Sequence, residues 1–196
     1  VQQGRTFDGA WAVNSSSFVI AYLRPTLQNA LNAFTWTGAG WSVVATAGNI
    51  DPSTLNTNFD GLMCSSTNTA SNTVQITIAT REIYPTTNLQ HKHQTLMGVS
   101  FDVRNQTYGS FSTLSESIVS TYYRPWTVEN NMLVYFKFSG LPNMRQFGVA
   151  GYGTETSAPT ESVDSVRYVR VAASPTRDEK IMVTMDSTGT IRANVL

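Results

Sequence analysis

Charge is scarce in this sequence. Of its 196 residues, 13% are Asp, Glu, Lys or Arg, about half the roughly 25% usual in soluble domains. Thirteen basic residues balance thirteen acidic ones, and neither sign gathers into a run. Phosphate backbones are held by clustered Lys and Arg, so neither nucleic-acid binding nor RNA packaging by a basic arm is expected. Cysteine is nearly absent too. The single Cys64 excludes an intrachain disulfide and a Cys-rich zinc site, and in "DGLMCSSTN" it reads as a small packed thiol. Histidine occurs only as His91 and His93. No apolar stretch approaches the roughly 18 residues of a membrane-spanning helix, so no membrane insertion is expected. No H-E-x-x-H, G-x-S-x-G, Walker or G-x-G-x-x-G pattern is present, and these are the common catalytic and phosphate-cradling signatures. The chain opens on Val1 without a signal peptide and reads as processed or trimmed.

Ser, Thr, Asn and Gly take the place of the missing charge. Such a surface is polar without being ionic, which suits a virion surface or an extracellular setting. Hydrophobic content is an ordinary 41%, with 11% aromatic. The dominant pattern is alternation at period two, the mark of half-buried strands. "TVQITIATR" puts Val74, Ile76 and Ile78 on one face, and "LMGVSFDVR" does the same with Met97, Val99, Phe101 and Val103. "SFVIAYLR", "GWSVVATAG", "NMLVYFKFSG", "SVRYVRVAA", "EKIMVTMD" and "GTIRANVL" are further runs. Only "TLQNALNAF" has a competing helical reading. The fold class is therefore all-β, with turns carried by Gly, Asn, Asp, Ser and Pro.

Internal similarity organises these strands. "AYLRP" recurs as "TYYRP", so Tyr22, Arg24 and Pro25 return as Tyr122, Arg124 and Pro125. "NALNAFTWTG" (29–38) matches "NMLVYFKFSG" (131–140), "VSFD" (99–102) matches "VTMD" (183–186), and the matches keep their order along the chain. The sequence thus predicts two tandem, duplicated antiparallel β-sandwich or barrel units, residues 1–105 and 106–196. An undivided jelly roll is the alternative. The first unit carries extra length at about 49–72 and 86–96, expected as inserted loops, and the second of these holds both histidines. Function gathers on loops over a rigid scaffold.

Candidate sites follow from residue type. Asp51, Asp60, Glu82 and Asp102 offer carboxylates, but no spacing selects a catalytic pair, and an enzyme is not expected. Arg24 and Arg124, each before a Pro, read as pins for neighbouring loops through charge-assisted hydrogen bonds. Trp11, Trp126, Tyr108 and Tyr152, together with Trp36, Trp41 and Tyr122, lie near strand ends, where aromatic ligand platforms are built. Core packing is their other reading. Sequons occur at Asn14 and Asn105.

His91 and His93, at i and i+2, point the same way if their segment is extended. One chain then offers two nitrogen ligands, too few for a closed site, whereas a symmetric trimer offers six. "HKH" resembles the H-x-H stretches of trimeric bacteriophage tail fibres and spike tips, whose histidines from three chains hold an iron ion on the axis. The resemblance covers residues 91–93 and implies a homotrimer with iron or zinc at its axis. Without that site no cofactor is expected, and the histidines are two solvated loop residues.

The combined expectation is a non-enzymatic virion or phage structural protein: an exposed attachment fibre or spike head binding a host-surface glycan or protein. It would associate with itself and with other virion proteins. A capsid shell or decoration protein and a secreted lectin-like carbohydrate-binding protein are the alternatives.

Overall fold

A computed structural model describes residues 7–24, 30–47, 57–66, 71–82, 92–120, 126–129, 131–137, 142–148, 150–158, 166, 168–174 and 176–196. The protein is all-β, with four antiparallel sheets and no closed barrel among the described residues. Sheet 1 is the meander β1 (Phe7–Ala12), β2 (Ser17–Arg24), β3 (Ala30–Trp36) and β4 (Ala45–Ala47). Sheet 2 runs β5 (Thr57–Ser66), β6 (Thr73–Glu82), β7 (Lys92–Asp102) and β8 (Thr107–Tyr108), with β9 (Ser112–Ser120) also paired to β7. Sheet 3 runs β10 (Trp126–Glu129), β11 (Met132–Phe136), β12 (Pro142–Gly148) and β13 (Gly151–Tyr152), with β14 (Thr156–Ser157) beside β12. Sheet 4 is β15 (Tyr168–Ala173), β16 (Lys180–Met185) and β17 (Ile191–Val195). The segment with the competing helical reading is strand β3, paired with β2 from Arg24↔Ala30 to Phe18↔Trp36.

Three cores lie between successive sheets. Leu31 and Ala33 of sheet 1 meet Leu62, Ile76, Ile78, Val99 and Phe101 of sheet 2. The opposite face of sheet 2, through Met63, Ala79 and Leu96, meets Trp126, Leu133, Tyr135 and Phe147 of sheet 3. Met132, Val134 and Phe136 then turn to Val169, Val171 and Met182 of sheet 4. Sheets 2 and 3 are therefore buried on both faces, which is why β11 has no exposed residue along its length.

Alternation in β6 had marked Gln75 and Thr77 as the wet side of the strand, yet both are fully buried. Each has a polar group met from sheet 3, and Gln75 Oε1 alone of them is buried without a partner. Gln75 Nε2 donates to the Gly148 carbonyl at 3.2 Å, and the Thr77 and Tyr152 hydroxyls share a hydrogen bond of 2.6 Å. Ser65 Oγ accepts the Asn131 N–H at 3.2 Å. A buried polar group that is paired is tolerated where an orphan is not, so a polar strand face becomes an interior one.

Two expected loops need correction. Residues 49–72 contain β5, whose register with β6 runs from Thr57↔Glu82 to Ser66↔Val74 around a bulge near Asp60. Ser65 of this strand is buried toward sheet 3, and the polar residues of the segment hid it from a reading based on apolar alternation. Likewise β7 begins at Lys92, so His93 belongs to a strand rather than a loop. The seam expected at 105–106 falls inside a turn that joins two paired strands, since β8 and β9 both pair with β7. The matched residues Leu31 and Leu133 both face sheet 2, from opposite sides. Val99 lies in the first core, while its counterpart Val183 is exposed on sheet 4.

The matched Asp102 and Asp186 do the same local job. Asp102 Oδ1 accepts the Arg104 and Asn105 N–H groups at 2.8 and 3.1 Å. Asp186 Oδ1 accepts those of Thr188 and Thr190 at 2.9 and 3.0 Å, and its Oδ2 takes Arg192 at 2.9 Å. The hydrogen bonds from Thr188 lead in holding the Asp186 acid far below the usual carboxylate range.

Gln106 closes the β7–β8 turn with φ of 54° and also ties sheet 2 to sheet 1. Its Nε2 donates to Thr35 Oγ1 at 2.9 Å and to the Val103 carbonyl at 2.6 Å, while Oε1 accepts from Ser42 Oγ at 3.0 Å. Gln106→Ala loses these bonds and keeps the backbone strain, for a cost of about 1–3 kcal/mol. Gln106→Gly loses the same bonds but relieves the left-handed backbone. In urea unfolding the Gly variant should be the more stable of the two. Equal midpoints would mean that the backbone carries no strain there.

Candidate functional site

The first strands of all four sheets, β1, β5, β10 and β15, come together along one side of the protein and enclose a cleft of about 370 Å³. Asp8 of β1, Cys64 and Ser66 of β5, Glu129 of β10 and Arg170 of β15 line it, and Trp11 borders it. Each comes from an edge strand, whose side chains reach past the sheet end.

Asp8 is fixed by accepting the Cys64 N–H on Oδ2 at 3.0 Å. The Cys64 thiol donates to the Asp8 carbonyl at 3.7 Å. Burial pushes that thiol well above its ordinary range, and the Asp8 charge pushes the same way. The thiol therefore stays protonated, and a thiol is not the nucleophilic form. Partial burial also raises the Glu129 acid, again with help from Asp8. Arg170 brings a guanidinium, whose Nη1 donates to the Val169 carbonyl at 3.0 Å. The cleft thus offers two carboxylate acceptors, a guanidinium and a serine hydroxyl, with no histidine among its described lining residues. These groups suit hydrogen bonding to a hydroxyl-rich ligand.

A second feature is the outward face of sheet 1. Its cross-strand rows are Phe7–Tyr22–Asn32, Gly9–Ile20–Phe34 and Trp11–Phe18–Trp36, with Trp41 bridged to Trp36. The rings lock edge to face, Trp11 on Phe18 with centroids 5.1 Å apart and Phe34 on Trp41 at 4.9 Å. Gly9 is required here, because a Cβ would lie 2.6 Å from Phe18 Cζ, whose ring crosses the strand. Phe7, Trp11 and Trp41 are 66%, 55% and 51% exposed.

The structure separates the aromatic candidates. Trp11 is on the exposed face. Trp126 is 3% exposed and lies in the second core over Gly61. Tyr108 packs on Phe101 and donates its hydroxyl to the Ala45 carbonyl at 3.0 Å. Tyr152 packs on Phe147 with its hydroxyl at Thr77. Burial raises both tyrosine acids. Trp36 and Trp41 join Trp11 on the outer face. Of the duplicated segments, Tyr22 packs edge-on against Phe34 and Arg24 ends β2. Pro25, Tyr122, Arg124 and Pro125 lie outside the described residues, as do His91 and Asp51. For His93, Asp60 and Glu82 the strand position is described and the side chain is not. No group of three metal-ligating side chains occurs among the described residues.

Asp8, Glu129 and Arg170 escaped the sequence reading because they lie far apart in the chain and no motif links them. The only available signal was position: each stands on the first strand of its sheet. No protein-family model matches the chain, and no curated protein matches it.

Proposed function

We propose that the protein is a non-enzymatic virion structural protein, the exposed head of an attachment fibre or spike that recognises a host-surface receptor. The cleft where the four first strands meet carries this reading. It presents fixed acceptors and a donor, and its cysteine is held as an unreactive thiol. Hydroxyl-rich glycans are the receptor class that such a lining fits best, since carboxylates accept pairs of sugar hydroxyls.

The test is a glycan array probed with the labelled chain, repeated with Asp8→Asn and Glu129→Gln. Binding to a defined subset of glycans, weakened at least tenfold by either change, is the expected result. Because the Glu129 acid is raised, binding should strengthen as pH rises through its titration. A chain that binds no glycan and no host cell would sink the receptor reading. The exposed aromatic face of sheet 1 favours a second reading, a capsid shell or decoration protein, because contiguous apolar surface marks an assembly site.

A further inference from the structure

The outward face of sheet 1 is left unused by the cleft except at Gly9 and Trp11, on the edge strand β1. We propose that it is a two-fold interface, on which the same face of a second copy of this chain packs sheet to sheet. The inference goes beyond the receptor reading and does not depend on it.

Size is the first ground. Aromatic side chains present about 150–250 Å² each, so Phe7, Trp11 and Trp41 at their observed exposures leave about 400 Å² of ring surface open. Val13, in the turn after β1, and Val43 and Val44, in the segment before β4, are also 54%, 88% and 44% exposed and flank these strands. With the half-buried rings between them, the apolar surface reaches about 800 Å², the share one partner gives to a standard stable interface. An exposed patch of this size is rare on a protein that works alone.

Charge is the second ground. Asp8 and Arg24 are the only charged residues in 7–47. Asp8 points away from the face, alternating with Phe7 and Gly9, and Arg24 stands at the end of β2. Arg24 therefore falls in the outward register beyond Tyr22, at the rim of the face, and the central rows hold no charge to be stripped of water when two such faces meet. A membrane surface is the competing occupant for exposed Trp and Phe, but peripheral binding relies on clustered Lys and Arg around the apolar patch, and 7–47 holds no Lys and a single Arg, Arg24.

Shape decides the symmetry. One flat patch can meet itself only across a two-fold axis, whereas a three-fold ring needs two different patches on each copy. Aligned sheet packing, about 10 Å between layers, would extend the layering already present within the chain. The outer face of sheet 4, with Ile181, Val183, Ile191 and Val195 exposed, is also apolar. It carries Arg170 in its middle row, opposite Val183, and is the natural control.

The experiment is sedimentation equilibrium of the whole chain, beside Phe7→Asp, Trp11→Asp and the sheet 4 control Ile191→Asp. Thermal unfolding of each variant confirms that it folds, and Phe7, the most exposed of the three rings, is the substitution least able to disturb it. The expected result is a dimer at micromolar concentration. Phe7→Asp or Trp11→Asp should weaken it at least 30-fold, and Ile191→Asp should leave it unchanged. A wild-type monomer at 100 µM, a trimer, or a dimer broken by Ile191→Asp alone would overturn the proposal. A monomer that co-sediments with phosphatidylserine vesicles would overturn it in favour of a membrane surface.

Discussion

Gly98→Val should destabilise the protein by about 3 kcal/mol or more, the upper range for overpacking a core. Gly98 faces sheet 3 from β7, and the Tyr152 ring lies directly over it, in the space a Cβ would take. The Leu114 Cδ1 atom would be 2.9 Å from that Cβ. Tyr152 cannot swing aside cheaply. Its hydroxyl is tied to Thr77 at 2.6 Å, and its ring packs on Phe147 with centroids 5.0 Å apart. The branched side chain must therefore pry sheet 2 from sheet 3. At roughly 2–4 °C per kcal/mol for a chain of this size, the melting temperature should fall by about 10 °C. Tyr152→Ala removes the obstacle, so the double variant should lose less than the two single losses added together. A Gly98→Val protein within about 1 kcal/mol of wild type in urea unfolding would show that the two sheets do not meet at Gly98.

Trp126→Ala should cost about 3–5 kcal/mol, the usual loss for emptying a buried aromatic site. The indole fills the space above Gly61, where a Cβ would stand 3.2 Å from Trp126 Cζ2. It shares its core with Met63, Leu133 and Tyr135. Tyr135 cannot follow into the vacancy, since its hydroxyl donates to Glu155, which also takes Lys137. Burial first, and then that hydrogen bond, push the tyrosine acid up to about 12. Burial alone would raise the Glu155 acid as well, but the bonds from Lys137 and Tyr135 outweigh it and hold the carboxylate ionised. The loss should appear in unfolding midpoints and leave ligand binding by the folded fraction unchanged. A stable Trp126→Ala protein that no longer binds its ligand would make Trp126 a contact residue after all.

Much of the strand content was legible because alternation reports a face directly. Val74, Ile76 and Ile78 could be assigned to one core from spacing alone. The same logic failed for the other side of β6. Gln75 and Thr77 are polar, and polarity at period two normally means water. Their burial depends on Gly148 and Tyr152, residues more than 70 positions away that supply the missing partners. Strand β5 is hidden for a related reason, since Ser65 is buried against Asn131 of sheet 3, a setting that no local pattern announces. Trp126 and Trp11 look alike in sequence, each an indole near a strand end. A glycine on a neighbouring strand, Gly61, takes one into the core, while the other stays outside.

By itself the sequence determined the all-β class, most strand positions and the residues that β6 and β7 give to the first core, because these follow from side-chain alternation over a few residues. It also determined the shortage of charge that leaves sheet 1 with Asp8 and Arg24 as its only ionic residues among those described. Only the tertiary structure decided which polar face is buried, which tryptophans are exposed and where the cleft lies. Asp8, Cys64, Glu129 and Arg170 meet because the first strand of every sheet converges on one side. That convergence is set by how the sheets pack on one another, a long-range outcome that no local stretch of residues encodes.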